Sequence, residues 1–101
     1  MTIKVLHVRV GARPAVVEIS HELREMQRLV GGYVDCIGMS DGVDVWCNDE
    51  ALLTNEPQPN RTVPGMAEPI YGDFFLARHD GNGNMVSLTE ADIATYSAAL
   101  R

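Results

Sequence analysis

Clustered positive charge is what this sequence most lacks. It has a single lysine, Lys4, and seven arginines scattered along 101 residues, against 14 acids, for a formal net charge of −6. Sequence-independent nucleic-acid binding draws its affinity from grouped Lys and Arg that displace phosphate counterions, so a general nucleic-acid binder is excluded. No apolar run approaches the roughly 20 residues that span a bilayer. Residues 1–10 interleave Lys4, His7 and Arg9 with apolar positions, which is not the layout of a secretory signal, and the expected location is the cytoplasm.

The reactive motifs are missing too. The three histidines, His7, His21 and His79, share no ligand spacing, and the two cysteines lack C-x-x-C spacing, so no metal site is expected. Residues 80–84 (DGNGN) open like a calcium loop, but Met85 stands where the loop needs glycine and Ala91 where it needs a bidentate glutamate. There is no G-x-S-x-G elbow, and neither Cys36 nor Cys47 has a nearby histidine in sequence. Gly31-Gly32 has no Lys-Ser/Thr after it and follows a helix pattern, so it does not cradle phosphate. The expectation is a protein without cofactor and without enzymatic activity.

What is present describes an α+β fold. Hydrophobic residues make up 46%, enough for a core in one compact domain over residues 1–101. Residues 3–10 (IKVLHVRV) and 15–19 (AVVEI) are rich in β-branched side chains and flank Gly11-Ala12-Arg13-Pro14, predicting a hairpin. Leu23, Met26 and Val30 recur at helical spacing with Ser20 as the N-cap, and Gly31-Gly32 stops that helix.

Residues 33–39 (YVDCIGM) and 43–48 (VDVWCN) predict a second hairpin through Asp41-Gly42. A two-residue loop there sets Ser40 opposite Val43, Ile37 opposite Trp46 and Cys36 opposite Cys47. Val34, Cys36, Val43, Val45 and Cys47 then share a core face. Asp35, Ile37, Met39, Asp44, Trp46 and Asn48 share a mixed one. Both cysteines are read as buried, reduced thiols, although the distance across such a pair does not by itself forbid a bridge.

Residues 49–54 predict one helical turn, and 55–69 a long irregular stretch holding four of the five prolines. Residues 70–78 predict a strand, Asp80-Gly81-Asn82-Gly83 a turn, and 84–88 the strand's partner. Thr89 and Asp92 form a T-x-x-D capping box, with Leu88 and Ile93 placed as a hydrophobic staple, so a helix is predicted over 89–99. The fold expectation is two or three β-hairpins in a mainly antiparallel sheet with two helices packed on it.

Candidate binding residues sit around the long stretch. Asn60 and Arg61 lie within it, Asn48 and Glu50 precede it, and Tyr71 follows it. Arginine's planar fork suits a carboxylate or a phosphate. The alternative is that Arg61 pairs with Asp49 or Glu50 and holds the stretch in place. Trp46, the only tryptophan, is either core packing or an interface anchor.

Five segments in order carry a resemblance. They are Leu29-Val30-Gly31-Gly32-Tyr33-Val34, Cys47-Asn48-Asp49-Glu50, Pro59-Asn60-Arg61, Ile70-Tyr71-Gly72-Asp73-Phe74-Phe75 and Val86-Ser87-Leu88-Thr89-Glu90-Ala91-Asp92-Ile93. This run resembles a family of small proteins from bacteriophages, plasmids and bacteria catalogued as a domain of unknown function. The family often has glycine soon after its Asn-x-Glu, where this chain has Ala51-Leu52-Leu53. The resemblance implies a mobile-element origin and a cytoplasmic setting, and supplies no activity. The functional expectation is an accessory protein that binds a host protein or itself. The alternatives are a nucleotide or anion binder using residues 55–69, and an acidic DNA mimic.

Overall fold

A computed structural model of the chain describes residues 1–39, 41–53 and 56–101. Its element order is β1 (Thr2–Val8), β2 (Ala15–Ser20), α1 (Leu23–Val30), β3 (Val34–Gly38), β4 (Val43–Asn48), a 3-10 turn (Ala51–Leu53), β5 (Phe74–His79), β6 (Met85–Val86) and α2 (Glu90–Ala99). The strands form one antiparallel sheet in the order β2-β1-β5-β4-β3, with β6 added beside β5. The expected α+β architecture, an antiparallel sheet carrying two helices, is what the chain adopts.

Phe74-Phe75-Leu76-Ala77 has no polar alternation because β5 lies mid-sheet and is covered on both faces. Phe75 and Ala77 face a core made with Ile3, Val5, Ile19 and the Leu29 and Val30 side chains of α1. Phe74 and Leu76 face the other, built with Leu6, Val8, Val43, Val45, Val63 and the Tyr96 side chain of α2. Residues of the proline-rich stretch therefore form part of a core. Asn60 N–H donates to Ile70 O at 2.7 Å, Ile70 N–H to Arg61 O at 3.0 Å and Gly72 N–H to Gln58 O at 2.7 Å. This short antiparallel ladder replaces the early part of the strand expected over 70–78, and β5 starts only at Phe74.

The helix ends differ in how well the sequence announces them. Thr89 caps α2 as expected, with Thr89 Oγ1 accepting the Asp92 N–H and the Asp92 carboxylate accepting the Thr89 N–H. Helix α1 starts two residues later than a Ser20 cap would place it. Its N-cap is Glu22, without a side-chain cap, because Ser20 is held in β2 opposite Thr2. Gly31, at φ 78°, stops α1 as its position predicts.

The β3–β4 register differs by one residue from the expected one. Met39 N–H donates to Val43 O and Gly42 N–H to Met39 O, so the loop has three residues, not two. Gly42, at φ 87°, takes the left-handed position that such a loop requires. Asp41 is drawn out of the ladder, its carboxylate accepting the Val43 N–H at 3.1 Å and the Tyr96 hydroxyl at 2.6 Å. Cys36 thus stands opposite Trp46 and Asp35 opposite Cys47. The division of β4 into faces holds, but that of β3 is inverted. Ile37 and Met39 share the side of Val45, and Val34 that of Trp46. Both cysteines are free thiols, and Cys36 is exposed rather than buried. Ser40, expected opposite Val43, and Thr54 and Asn55, at the junction of the expected 49–54 turn and 55–69 stretch, lie outside the described residues.

Candidate functional site

The six residues singled out in the sequence fall into three places. Asn48 and Tyr71 line one cavity of about 190 Å³ together with Asp35, Cys47, Asp49 and Leu52. Glu50 stands at its margin, its N–H donating to Asn48 Oδ1 at 2.9 Å. Asn48 Nδ2 also reaches the Val30 carbonyl at the end of α1, at 3.4 Å. Its side chain fills the space above Gly32, where a Cβ would stand 2.8 Å from Asn48 Nδ2. Asn48 therefore holds α1 to β4, and Gly32 leaves room for it.

Asn60 and Arg61 work elsewhere. Asn60 Nδ2 donates to Val8 O and to Gly72 O, both at 3.0 Å. Arg61 donates to Arg9 O at 2.9 Å, to Ala12 O, and to Asn60 Oδ1 at 2.9 Å. The expected pairing of Arg61 with Asp49 or Glu50 is not made. Its fork instead gathers carbonyls of the β1–β2 loop, groups that the turn leaves without strand partners.

Trp46 lies on the opposite side of the sheet from the α2 core. It is half-buried against the α1-side core and stacks on Phe75, with ring centroids 6.0 Å apart and planes 5° from parallel. Its buried indole N–H has no hydrogen-bond partner among the described residues.

A polar network that sequence spacing does not reveal joins α2 to the β3–β4 loop. Arg78 makes a two-armed ion pair with Asp92, Nε to Oδ2 at 2.8 Å and Nη2 to Oδ1 at 2.7 Å. Arg78 Nη1 also donates to the Asp41 carbonyl at 3.2 Å. The Arg78 fork and the Thr89 capping bonds hold the Asp92 carboxyl at about 2. Burial and the bond to Asp41 push the Tyr96 phenol up. The only part of this network visible in the sequence is the capping box, since Arg78 and Asp92 are brought together by the β5–β6 turn. That turn is organised by Asp80 Oδ1, which accepts the Asn82 and Asn84 N–H groups at 2.9 Å. Among the described residues no three His, Cys, Asp or Glu side chains gather as metal ligands.

The motifs that carry the resemblance are thus structural joints. Gly31-Gly32 stops α1 and admits Asn48, Asn60-Arg61 binds the β1–β2 loop, and Thr89-x-x-Asp92 caps α2 and holds Arg78. The sequence model of a domain of unknown function, DUF3846, matches residues 3–101. The chain belongs to the DUF3846 family. No curated protein and no solved structure matches it. The joints identify a family by its scaffold, and leave the working surface to be sought among residues that the scaffold does not consume.

Proposed function

We propose that this DUF3846 protein is a non-enzymatic accessory protein of a phage or other mobile element, acting in the cytoplasm by binding a host protein. The observation that carries the reading is the apolar end of the β3–β4 hairpin. Tyr33 is 63% exposed, Leu52 62% and Leu53 80%, and Tyr33 O accepts the Asp49 N–H, which brings these segments to one end of the sheet. Large apolar side chains grouped at a surface favour a protein contact. Asp35 and Asp49 line the cavity beside Leu52, so a partner with basic groups around an apolar centre fits.

A second copy of the chain fits less well, because each copy carries a net −6 and the same acidic surround. The contact is through side chains rather than an added strand, since the Cys36 N–H on edge strand β3 is already taken by Asp35 Oδ1 at 2.9 Å. The DNA-mimic reading draws less support, because the Asp41, Asp44 and Asp92 carboxylates are engaged by Tyr96, His79 and Arg78.

The test is affinity capture from bacterial lysate with the wild type and with Leu53→Asp. A partner retained by the wild type and lost by the variant, at unchanged melting temperature, supports the reading. An identical set of captured proteins for both chains, or a dimer that Leu53→Asp dissociates, overturns it in favour of non-specific adhesion or self-association.

A further inference from the structure

We propose that the cleft between β1, β2 and α1 binds a small phosphate monoester whose body is compact and apolar or aromatic. The cleft has a volume of about 390 Å³ and is lined by His7, Arg9, Val17, Arg28, Leu29 and Asp73. That volume lies within the roughly 300–1,000 Å³ of small-molecule sites. It stands beside β2, at the edge of the sheet opposite β3, so it is separate from the apolar hairpin end.

The chain is strongly acidic, yet two of its seven arginines, Arg9 and Arg28, line this cleft. The Arg9 guanidinium has no hydrogen-bond or ion-pair partner among the described residues. Arg28 gives its Nε to Glu25 Oε2 at 3.0 Å, which leaves its two terminal nitrogens without a partner among the described residues. Against these stand Glu25 and Asp73, the latter accepting the Val10 N–H at 2.9 Å. Among the lining residues themselves, Arg9 and Arg28 stand against the single carboxylate of Asp73, and His7 adds a further group that can carry positive charge.

His7 adds a directional group. Its Nε2 lies 2.8 Å from Leu29 O, and because a carbonyl only accepts, Nε2 carries the proton. Nδ1 is then left for a ligand, accepting from a protonated phosphate oxygen or donating once the ring is charged. Two guanidinium forks arriving from different elements suit a dianion with several acceptor oxygens better than a single carboxylate. Val17 and Leu29 supply the apolar wall for the body that carries the phosphate. His7 lies near the end of β1 and Arg9 one residue beyond that strand, and both line the cleft.

The probe is adenosine 5′-monophosphate, titrated calorimetrically into the full chain, with adenosine and inorganic phosphate run in parallel. Binding of the monophosphate, weaker binding of phosphate and none of adenosine are expected. Arg9→Ala is expected to weaken the monophosphate at least about tenfold without lowering the melting temperature, and Arg28→Ala likewise, while Arg101→Ala leaves it unchanged. The proposal is overturned by absence of binding at millimolar monophosphate, by adenosine binding as tightly, by phosphate alone binding as tightly, or by equal weakening in Arg101→Ala. Since none of these substitutions touches Tyr33, Leu52 or Leu53, failure here leaves the host-protein reading standing, and the reverse.

Discussion

The Asp92 carboxylate accepts the Thr89 N–H at 2.9 Å and both arms of Arg78, with its side chain only 10% exposed. These bonds favour the ionised form and hold the group at about 2 against a usual 3.8. A depressed carboxyl contributes stability that is complete above its unfolded value and is lost as pH falls through the folded one. The window is therefore pH 4 to 2, and the contribution is about 2 kcal/mol. Denaturant melts at pH 5 and pH 2 should show the wild type losing about that much more stability than Asp92→Asn. Equal acid losses in the two proteins would remove Asp92 from this role. A second residue works in the opposite sense. Cys36 is exposed, but partial burial of its thiol, with Asp44 and Asp35 nearby, pushes it up to about 11 from 9.0. The thiolate is the reacting species, so alkylation by iodoacetamide at pH 8 should run about a hundredfold slower than for a free cysteine. Asp44→Asn should speed it. A wild-type rate equal to that of free cysteine would show that burial and the two aspartates do not govern the thiol.

At the scale of the element, the joints depend on small residues opposite specific side chains. Gly32 has Asn48 packed where its Cβ would be, at 2.8 Å, and Asn48 in turn holds Val30 O. Gly32→Ala should cost about 1–2 kcal/mol in chemical denaturation. Because the clash is with a side chain, Asn48→Ala should cost less in the Gly32→Ala background than in the wild type. Strictly additive costs in that double-mutant cycle would mean that the two residues do not meet. Such joints mark the limit of what sequence spacing reveals. The α2 cap was legible because Thr89 and Asp92 act within one turn. The β3–β4 register was not, because Asp-Gly is compatible with loops of two or three residues, and the choice rests on Tyr96, 55 positions from Asp41 in sequence. The fate of Arg61 was hidden for the same reason, its partners Arg9 and Ala12 being 52 and 49 residues away. The nearby acids suggested an ion pair, but the carbonyls of the β1–β2 turn, which lie outside the strand ladder, compete well for a guanidinium.

For the molecule as a whole, β5 decides how the two cores behave. Phe74 and Leu76 belong to the α2-side core, Phe75 and Ala77 to the α1-side core, and all four are fully buried. Neither core can lose its packing without exposing a face of the same strand, and β5 pairs with β1, β4 and β6. The two cores should therefore unfold together. Trp46 reports on the α1 side, where it stacks on Phe75. Leu88 is buried on the α2 side, with its N–H donating to Lys4 O at 3.0 Å. Leu88→Ala should cost about 2–4 kcal/mol and lower the denaturation midpoint. If β5 couples the cores, Trp46 fluorescence must register the full shift although it looks at the other face of the sheet, and its transition must coincide with that of far-ultraviolet circular dichroism. A fluorescence midpoint that stays in place while the dichroism midpoint falls would mean that the two cores melt independently. The sheet would then be a shared wall rather than a cooperative unit.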